Sequence, residues 1–133
     1  MPTKTILIVE DEPALQKTLV TQIHKLGYET LTASDGVEAL KIISNKNPDL
    51  ILLDVIMPLK NGFDVLQDLR LKQGKQTPVI VITNLESKQD LDSAKNLGVS
   101  YYITKSNISL RDLSQTVNQA LIESDKPDQK QNS

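Results

Sequence analysis

The chain has 133 residues, 15 Lys and Arg against 17 Asp and Glu, and a formal net charge of -2; at about 150 residues a single domain buries roughly 68–70% of its unfolded surface, enough for a sizeable core. The acidic balance argues against a nucleic-acid face as the main function, because phosphate backbones are bound through clustered Lys and Arg. The absence of cysteine excludes disulfides and thiolate metal sites, the apolar run in "MPTKTILIVEDEP" is too short for a signal peptide, and no run approaches the ~18 apolar residues of a membrane span. A cytoplasmic protein without a membrane or direct nucleic-acid partner is expected.

"TILIV" (5–9) is short, continuous and rich in Ile and Val, as expected for a strand covered on both faces. Glu10 and Asp11 follow it at once. After Glu12, Pro13 suits a first helical position, and Leu15, Leu19, Ile23 and Leu26 form one stripe before Gly27 stops the helix. His24 lies opposite that stripe and is expected in solvent. "YETLTA" (28–33) alternates polar with apolar and reads as a strand with less cover. "DGVEALKIIS" opens with Asp35 and Glu38 three apart, like a capping box, and presents Val37, Leu40 and Ile43.

"LILLDV" (50–55) is the second continuous apolar run, and it carries Asp54 near its end. A buried, unpaired carboxylate is costly, so Asp54 must be neutral, paired, or placed where the strand opens on water or metal. In "MPLKNG", Pro58 fixes φ and Asn61-Gly62 accepts positive φ, which makes a turn. Phe63, Leu66 and Leu69 carry a third helix ending near Gly74, and "PVIVIT" (78–83) is the third buried run. Ser87 with Asp90, then Leu91, Ala94 and Leu97, mark a fourth helix that stops at Gly98. "SYYIT" (100–104) is a weaker strand, and Ser109 with Asp112, then Leu110, Leu113, Val117 and Leu121, mark a fifth helix. "SDKPDQKQNS" has no core-facing stripe and is expected to form a disordered tail with no second domain after it.

Five strand–helix units predict a parallel sheet with helices on both sides. The order 2-1-3-4-5 puts the three most apolar runs in the middle and the two weaker ones at the edges, which is the flavodoxin-like (βα)5 three-layer sandwich. Ligands of such sheets bind beyond the carboxyl ends of the strands where the order reverses, here between the first and third. Glu10, Asp11 and Asp54 meet at that point. A single acid there more often only caps the next helix, but three close carboxylates without Lys or Arg among them repel strongly and call for protons or a cation. Hard oxygen ligands favour Mg²⁺.

Thr83 and Lys105 stand at the carboxyl ends of the fourth and fifth strands. Each alone reads as an ordinary strand threonine or surface lysine. Together with the acids they fit phosphoryl transfer, with Asp54 as nucleophile forming an aspartyl phosphate, Mg²⁺ and Lys105 neutralising phosphoryl oxygens, and Thr83 donating to one of them.

"LIVEDEP", "LILLDVIMPLKNG", "VIVIT" and "YYITKS" resemble the receiver domain of two-component response regulators, of the single-domain chemotaxis-regulator type, over roughly residues 4–123, with 124–133 as the tail. The resemblance implies that Asp54 accepts phosphate from a sensor histidine kinase, a histidine phosphotransfer protein or a small phosphodonor. It implies that Asp11, Asp54 and the backbone carbonyl of Ile56 bind Mg²⁺, with Glu10 acting through water, and that Thr83 and Tyr102 form a switch pair. Such a chain is not an enzyme beyond catalysing its own phosphorylation and dephosphorylation. The fourth helix, fifth strand and fifth helix are expected to be the changing surface, with Lys88, Lys95, Tyr101 and Arg111 as contacts for a downstream protein partner or a phosphorylation-dependent dimer.

Three departures from the family pattern stand out: Glu10 replaces the usual Asp, Asn84 a smaller residue, and Ser106 the usual Pro. A non-proline cis bond costs about 2.5–4 kcal/mol, so a trans bond is expected before Ser106. Among rivals, an aspartyl-phosphate enzyme of another fold would need an acid where Ile56 stands. A flavin or nucleotide binder would need a Gly- or hydroxyl-rich loop where "VEDEPAL" is acidic. A phosphorylation-independent interaction module would be marked by the loss of an acid, the Thr or the Lys, and all are present.

Overall fold

A computed structural model describes residues 3–54, 62–83, 88–107 and 109–125, the side chains of 88–91 and 107 excepted. The elements are β1 (Thr5–Val9), α1 (Pro13–Lys25), β2 (Glu29–Ala33), α2 (Gly36–Lys46), β3 (Leu50–Leu53), α3 (Gly62–Gln67), β4 (Val79–Thr83), α4 (Lys88–Asn96), β5 (Tyr101–Thr104) and α5 (Leu110–Ser124). All strand pairs are parallel, in the order β2-β1-β3-β4-β5. The flavodoxin-like order expected from hydrophobicity is therefore the one observed, with strand limits shifted by a residue or two.

Side chains alternate across the sheet and so build two cores. Leu7, Val9, Ile51, Leu53, Val79 and Val81 face one side, against Ala39 and Ile43 of α2, Val65 and Leu66 of α3 and Ala94 of α4. Ile6, Ile8, Leu50, Leu52, Ile80 and Ile82 face the other, against Leu19 and Ile23 of α1 and Leu113, Val117 and Leu121 of α5. β1, β3 and β4 are buried almost throughout, β5 is mostly half-buried, and β2 is a mixture of exposed, half-buried and buried positions. Edge strands have one neighbour and less helix cover.

Local signals behave as their chemistry requires, with two differences. Asp35 accepts from the backbone N–H of Glu38 at 2.8 Å, and Glu38 reaches back to the N–H of Ser34 at 2.7 Å, one residue before the expected capping-box partner. Ser109 likewise caps α5 by accepting from the N–H of Asp112. Val37, expected in the α2 stripe, is 43% exposed, and Ala39 takes the buried place beside Ile43. Gly27 and Gly98 end α1 and α4 at φ of +93° and +78°, a region that a Cβ would strain.

The third helix is not regular to its end. Residues Asp68–Lys72 form a π-helical turn, and the N–H of Gln73 donates to the carbonyl of Asp68 at 2.9 Å. Within it, Arg70 donates to the carbonyls of Leu97, Lys75 and Gly98 at 2.8, 2.9 and 3.1 Å, which ties this turn to the end of α4. The turn also places Leu69 in the core and leaves Leu71 74% exposed.

That split yields a comparison. Ile51→Ala, at a fully buried position, is expected to cost about 2–5 kcal/mol. Leu71→Ala is expected to stay within about 0.5 kcal/mol of wild type. Urea unfolding of both variants checks the assignment.

Candidate functional site

The backbone ladder sets the site. β1 and β3 run in register up to Val9 opposite Leu53, and the N–H of Asp54 donates to the carbonyl of Val9 at 3.0 Å. The next residue on each strand is therefore an acid, Glu10 beside Asp54. Asp11 joins them, and one carboxylate oxygen from each of the three lies within 4.8 Å of the others. Glu10 and Asp54 are buried, 1% and 3% exposed, while Asp11 is exposed.

Like charges so placed repel. At an effective permittivity of about 20, two unit charges within about 5 Å of each other repel by roughly 3 kcal/mol or more. A cation answers them: Lys105 Nζ lies 3.0 Å from Asp54 Oδ2 and 3.1 Å from Glu10 Oε2, and its side chain is only 16% exposed. Contacts of this length offset much of the repulsion between the two buried acids. The expectation of a cluster with no Lys or Arg among its acids is thus corrected, because the Lys105 side chain reaches back from the far edge of the sheet into the cluster. Burial alone would lower the Lys105 pKa, but its hydrogen bonds to Asp54 and Glu10 outweigh burial and hold the ammonium above its ordinary range.

Glu10 is pushed in the opposite sense to most paired acids. Burial raises its pKa, and the charge of Asp54 adds to the effect, while the N–H of Glu12 and the ammonium of Lys105 oppose them. Glu10 Oε2 accepts from both of these donors, at 2.9 Å from Glu12 N. Glu10 Oε1 is buried without a hydrogen-bond partner, so one acceptor of this carboxyl is left unsatisfied beside Asp11 and Asp54. Three hard carboxylates, one carrying an orphaned oxygen, fit a small divalent cation with oxygen preference.

The remaining expected residues fall around this centre. Thr83 ends β4 and is buried, and Tyr102 of β5 is half-buried against the core beneath α4, opposite Val81 in register. Burial first, then the charge of Asp92, raises the Tyr102 pKa. Tyr101 faces the opposite core, and its hydroxyl donates to Glu123 of α5 at 2.8 Å. Lys95 and Arg111 are exposed. Ile56, Pro58, Asn61, Asn84 and Ser87 lie outside the described residues, as does the side chain of Lys88. No cis peptide bond occurs among the described residues, so the bond before Ser106 is trans as expected. His24 is exposed, 2.9 Å from Thr30 Oγ1.

Two residues were not singled out by sequence reasoning. Glu12 brings a third carboxylate to Lys105, at 3.3 Å. Gln16, half-buried on α1, donates to the carbonyls of Glu10 and Ala33 at 2.9 and 3.3 Å. A mid-helix glutamine carries no sequence signal, whereas Glu12 adjoins the acid pair and was readable as part of it.

Residues 6–118 match the response regulator receiver domain. The chain is 39% identical over 102 residues to "Probable transcriptional regulator ycf27" of Cyanophora paradoxa, covering 77% of this chain and 42% of that protein. It is 41% identical over 102 residues to "Regulator of RpoS" of Escherichia coli K12, covering 77% of this chain and 30% of that one. The matched region thus spans less than half the length of these relatives. The receiver domain protein of Methanospirillum hungatei JF-1 superposes with a TM-score of 0.86 at 29% identity, covering 92% of this chain and 96% of that one. The chemotaxis protein CheY4 of Vibrio cholerae superposes with a TM-score of 0.82 at 28% identity, covering 90% and 99%. The chain belongs to the response regulator receiver family, the signalling modules of two-component systems. Receiver domains bind Mg²⁺ through a cluster of acidic residues, and Glu10, Asp11 and Asp54 form such a cluster here.

Replacing Lys105 by Met would leave Glu10 and Asp54 buried without their ammonium, and removing one partner of a buried pair costs about 3–5 kcal/mol. Burial, which already raises the Glu10 carboxyl, would then act without the opposing ammonium and hold it further above its unfolded pKa. The folded state would bind more protons than the unfolded one, so stability would fall as pH rises through the folded pKa. Lys105→Met is expected to be much less stable than wild type at about pH 8 and to recover part of the deficit at about pH 5. Urea unfolding in EDTA at both values checks this, and a deficit independent of pH would contradict it.

Proposed function

We propose that the chain is a phosphorylation-dependent receiver in which Asp54 accepts a phosphoryl group and the β4–β5 edge carries the consequence to a protein partner. The observation that supports this best is the placement of Asp54: a buried carboxylate one residue beyond a central strand, 3.0 Å from a lysine ammonium and beside two further acids. Burying acids together costs stability, and such costly clusters gather at functional sites.

In the reaction, an Asp54 carboxylate oxygen forms a bond to phosphorus as the bond from phosphorus to the donor breaks. The electron pair leaves with the imidazole nitrogen of a phosphohistidine or the carboxylate of a small acyl phosphate. Lys105, already on Asp54, shifts part of its pairing to a phosphoryl oxygen. Asp11, Asp54 and the backbone carbonyl of Ile56 would hold Mg²⁺, with Glu10 acting through a water. The ion supplies charge neutralisation for the phosphoryl oxygens. Thr83 donates its hydroxyl to the phosphoryl group, and Tyr102 turns inward behind it.

Such a group is a switch only through differential affinity for two conformations, and moving a population from 1:99 to 99:1 takes about 5.5 kcal/mol. The surface of α4, β5 and α5, with Lys88, Lys95, Tyr101 and Arg111, is the proposed output face. The donor is a sensor histidine kinase or histidine phosphotransfer protein, and the output is a downstream protein partner or a phosphorylation-dependent dimer. The working unit spans residues 4–123, in the cytoplasm; α5 continues through Ser124 into the expected tail, and residues 126–133 lie outside the described residues. No helix among the described residues is long and apolar enough to cross a membrane.

The test is chemical. After incubation with acetyl phosphate and Mg²⁺, intact mass is expected to show one added phosphoryl group, and borohydride reduction of the acyl phosphate is expected to mark position 54. Asp54→Asn protein, or wild type in EDTA, is expected to show neither. A label that persists in Asp54→Asn would overturn the assignment.

A further inference from the structure

The turn from β1 to α1 must present Glu10 and Asp11 in a fixed direction, yet its helix has no side-chain cap: Glu12 stands at the N-cap without a capping bond. The turn is held in other ways. The N–H of Glu10 donates to the carbonyl of Ala33 at 3.0 Å, and the N–H of Glu12 holds the Glu10 carboxylate at 2.9 Å. The carbonyl of Glu10 is met by the side-chain amide of Gln16, which also reaches the carbonyl of Ala33. That one amide therefore joins the carboxyl ends of β1 and β2 to the first turns of α1, directly behind the acid pair.

We infer that Gln16 is the positioning residue of the acidic turn: its amide fixes the peptide between Glu10 and Asp11 and so sets the aim of both carboxylates toward a cation. The hydrogen bonds of the Gln16 amide go to the backbone carbonyls of Glu10 and Ala33 rather than to a carboxylate of the cluster, so it acts through the backbone. Partners one shell behind metal ligands commonly change metal affinity by about 10–100-fold when removed. A backbone clip is a softer constraint than a bond to the ligand atom itself, so an effect of roughly tenfold, at the lower end, is expected here. The inference rests on the Mg²⁺ reading of the site.

The same helix supplies its own control. Gln22, also half-buried, donates to Ser114 Oγ of α5 at 2.8 Å, far along α1 from the acids. Gln16→Met and Gln22→Met each delete one side-chain amide while keeping length and helix propensity. Mg²⁺ alone is titrated into wild type and both variants, followed by amide NMR shifts of Glu10, Asp11 and Asp54, with thermal unfolding in EDTA measured alongside. The expected result is about tenfold weaker Mg²⁺ binding in Gln16→Met and unchanged binding in Gln22→Met, with similar modest losses of Tm. Gln16→Ala should repeat the loss of affinity if Met packs badly. Wild-type affinity in both Gln16 variants would overturn the proposal while leaving the metal reading intact. Failure of wild type itself to bind Mg²⁺ would overturn that reading and the proposal with it.

Discussion

The ammonium of Lys105 is the contact on which the site depends. It enters from the end of β5, at the edge of the sheet, and closes on Asp54 and Glu10 at its centre, with Glu12 as a third and more exposed partner. One cation faces three carboxylates, so the metal-free cluster is folded but not neutral. The orphaned oxygen of Glu10 shows where the deficit lies. In the proposed reaction a divalent cation and then a phosphoryl group would redistribute this balance of charge.

The sheet makes this arrangement possible. β1, β3 and β4 are buried on both faces, and the register between Val9 and Leu53 delivers Glu10 and Asp54 side by side. The residues proposed to switch sit where cover is thinner. β5 is only partly buried, and Tyr102 within it is half-buried, so a change in the pairing of Lys105, which directly follows β5, acts on the least constrained strand next to the site. The Arg70 clip on Leu97 and Gly98 holds the far end of α4, so displacement of that helix would concentrate at the end nearer Asp54.

Much of this was readable in the residues. Continuous runs of Ile, Val and Leu mark the central strands, alternation marks β2, and the carboxyl-end rule gathers Glu10, Asp11, Asp54, Thr83 and Lys105 on one rim from the sequence alone. What was not readable depends on distances that spacing does not carry. The reach of Lys105 into the cluster follows from its rotamer and the turn after β5, so the acids looked unpaired. Gln16 acts through backbone carbonyls, which no pattern of side chains announces. The π-helical turn at Asp68–Lys72 breaks a helical period too briefly to show in the placing of Phe63, Leu66 and Leu69. Val37 fitted an apolar stripe by type, but the helix turns its smaller neighbour Ala39 inward.

The central claim is that Lys105 is held by Glu10 and Asp54 and passes its pairing to the phosphoryl group. The side-chain ¹⁵N resonance of Lys105 reads this directly. In the metal-free protein its ammonium protons should be protected from exchange and visible, they should shift on addition of Mg²⁺, and they should shift again when Asp54 is phosphorylated. An ammonium that exchanges as freely as those of surface lysines, or a signal that ignores phosphorylation, would contradict the account.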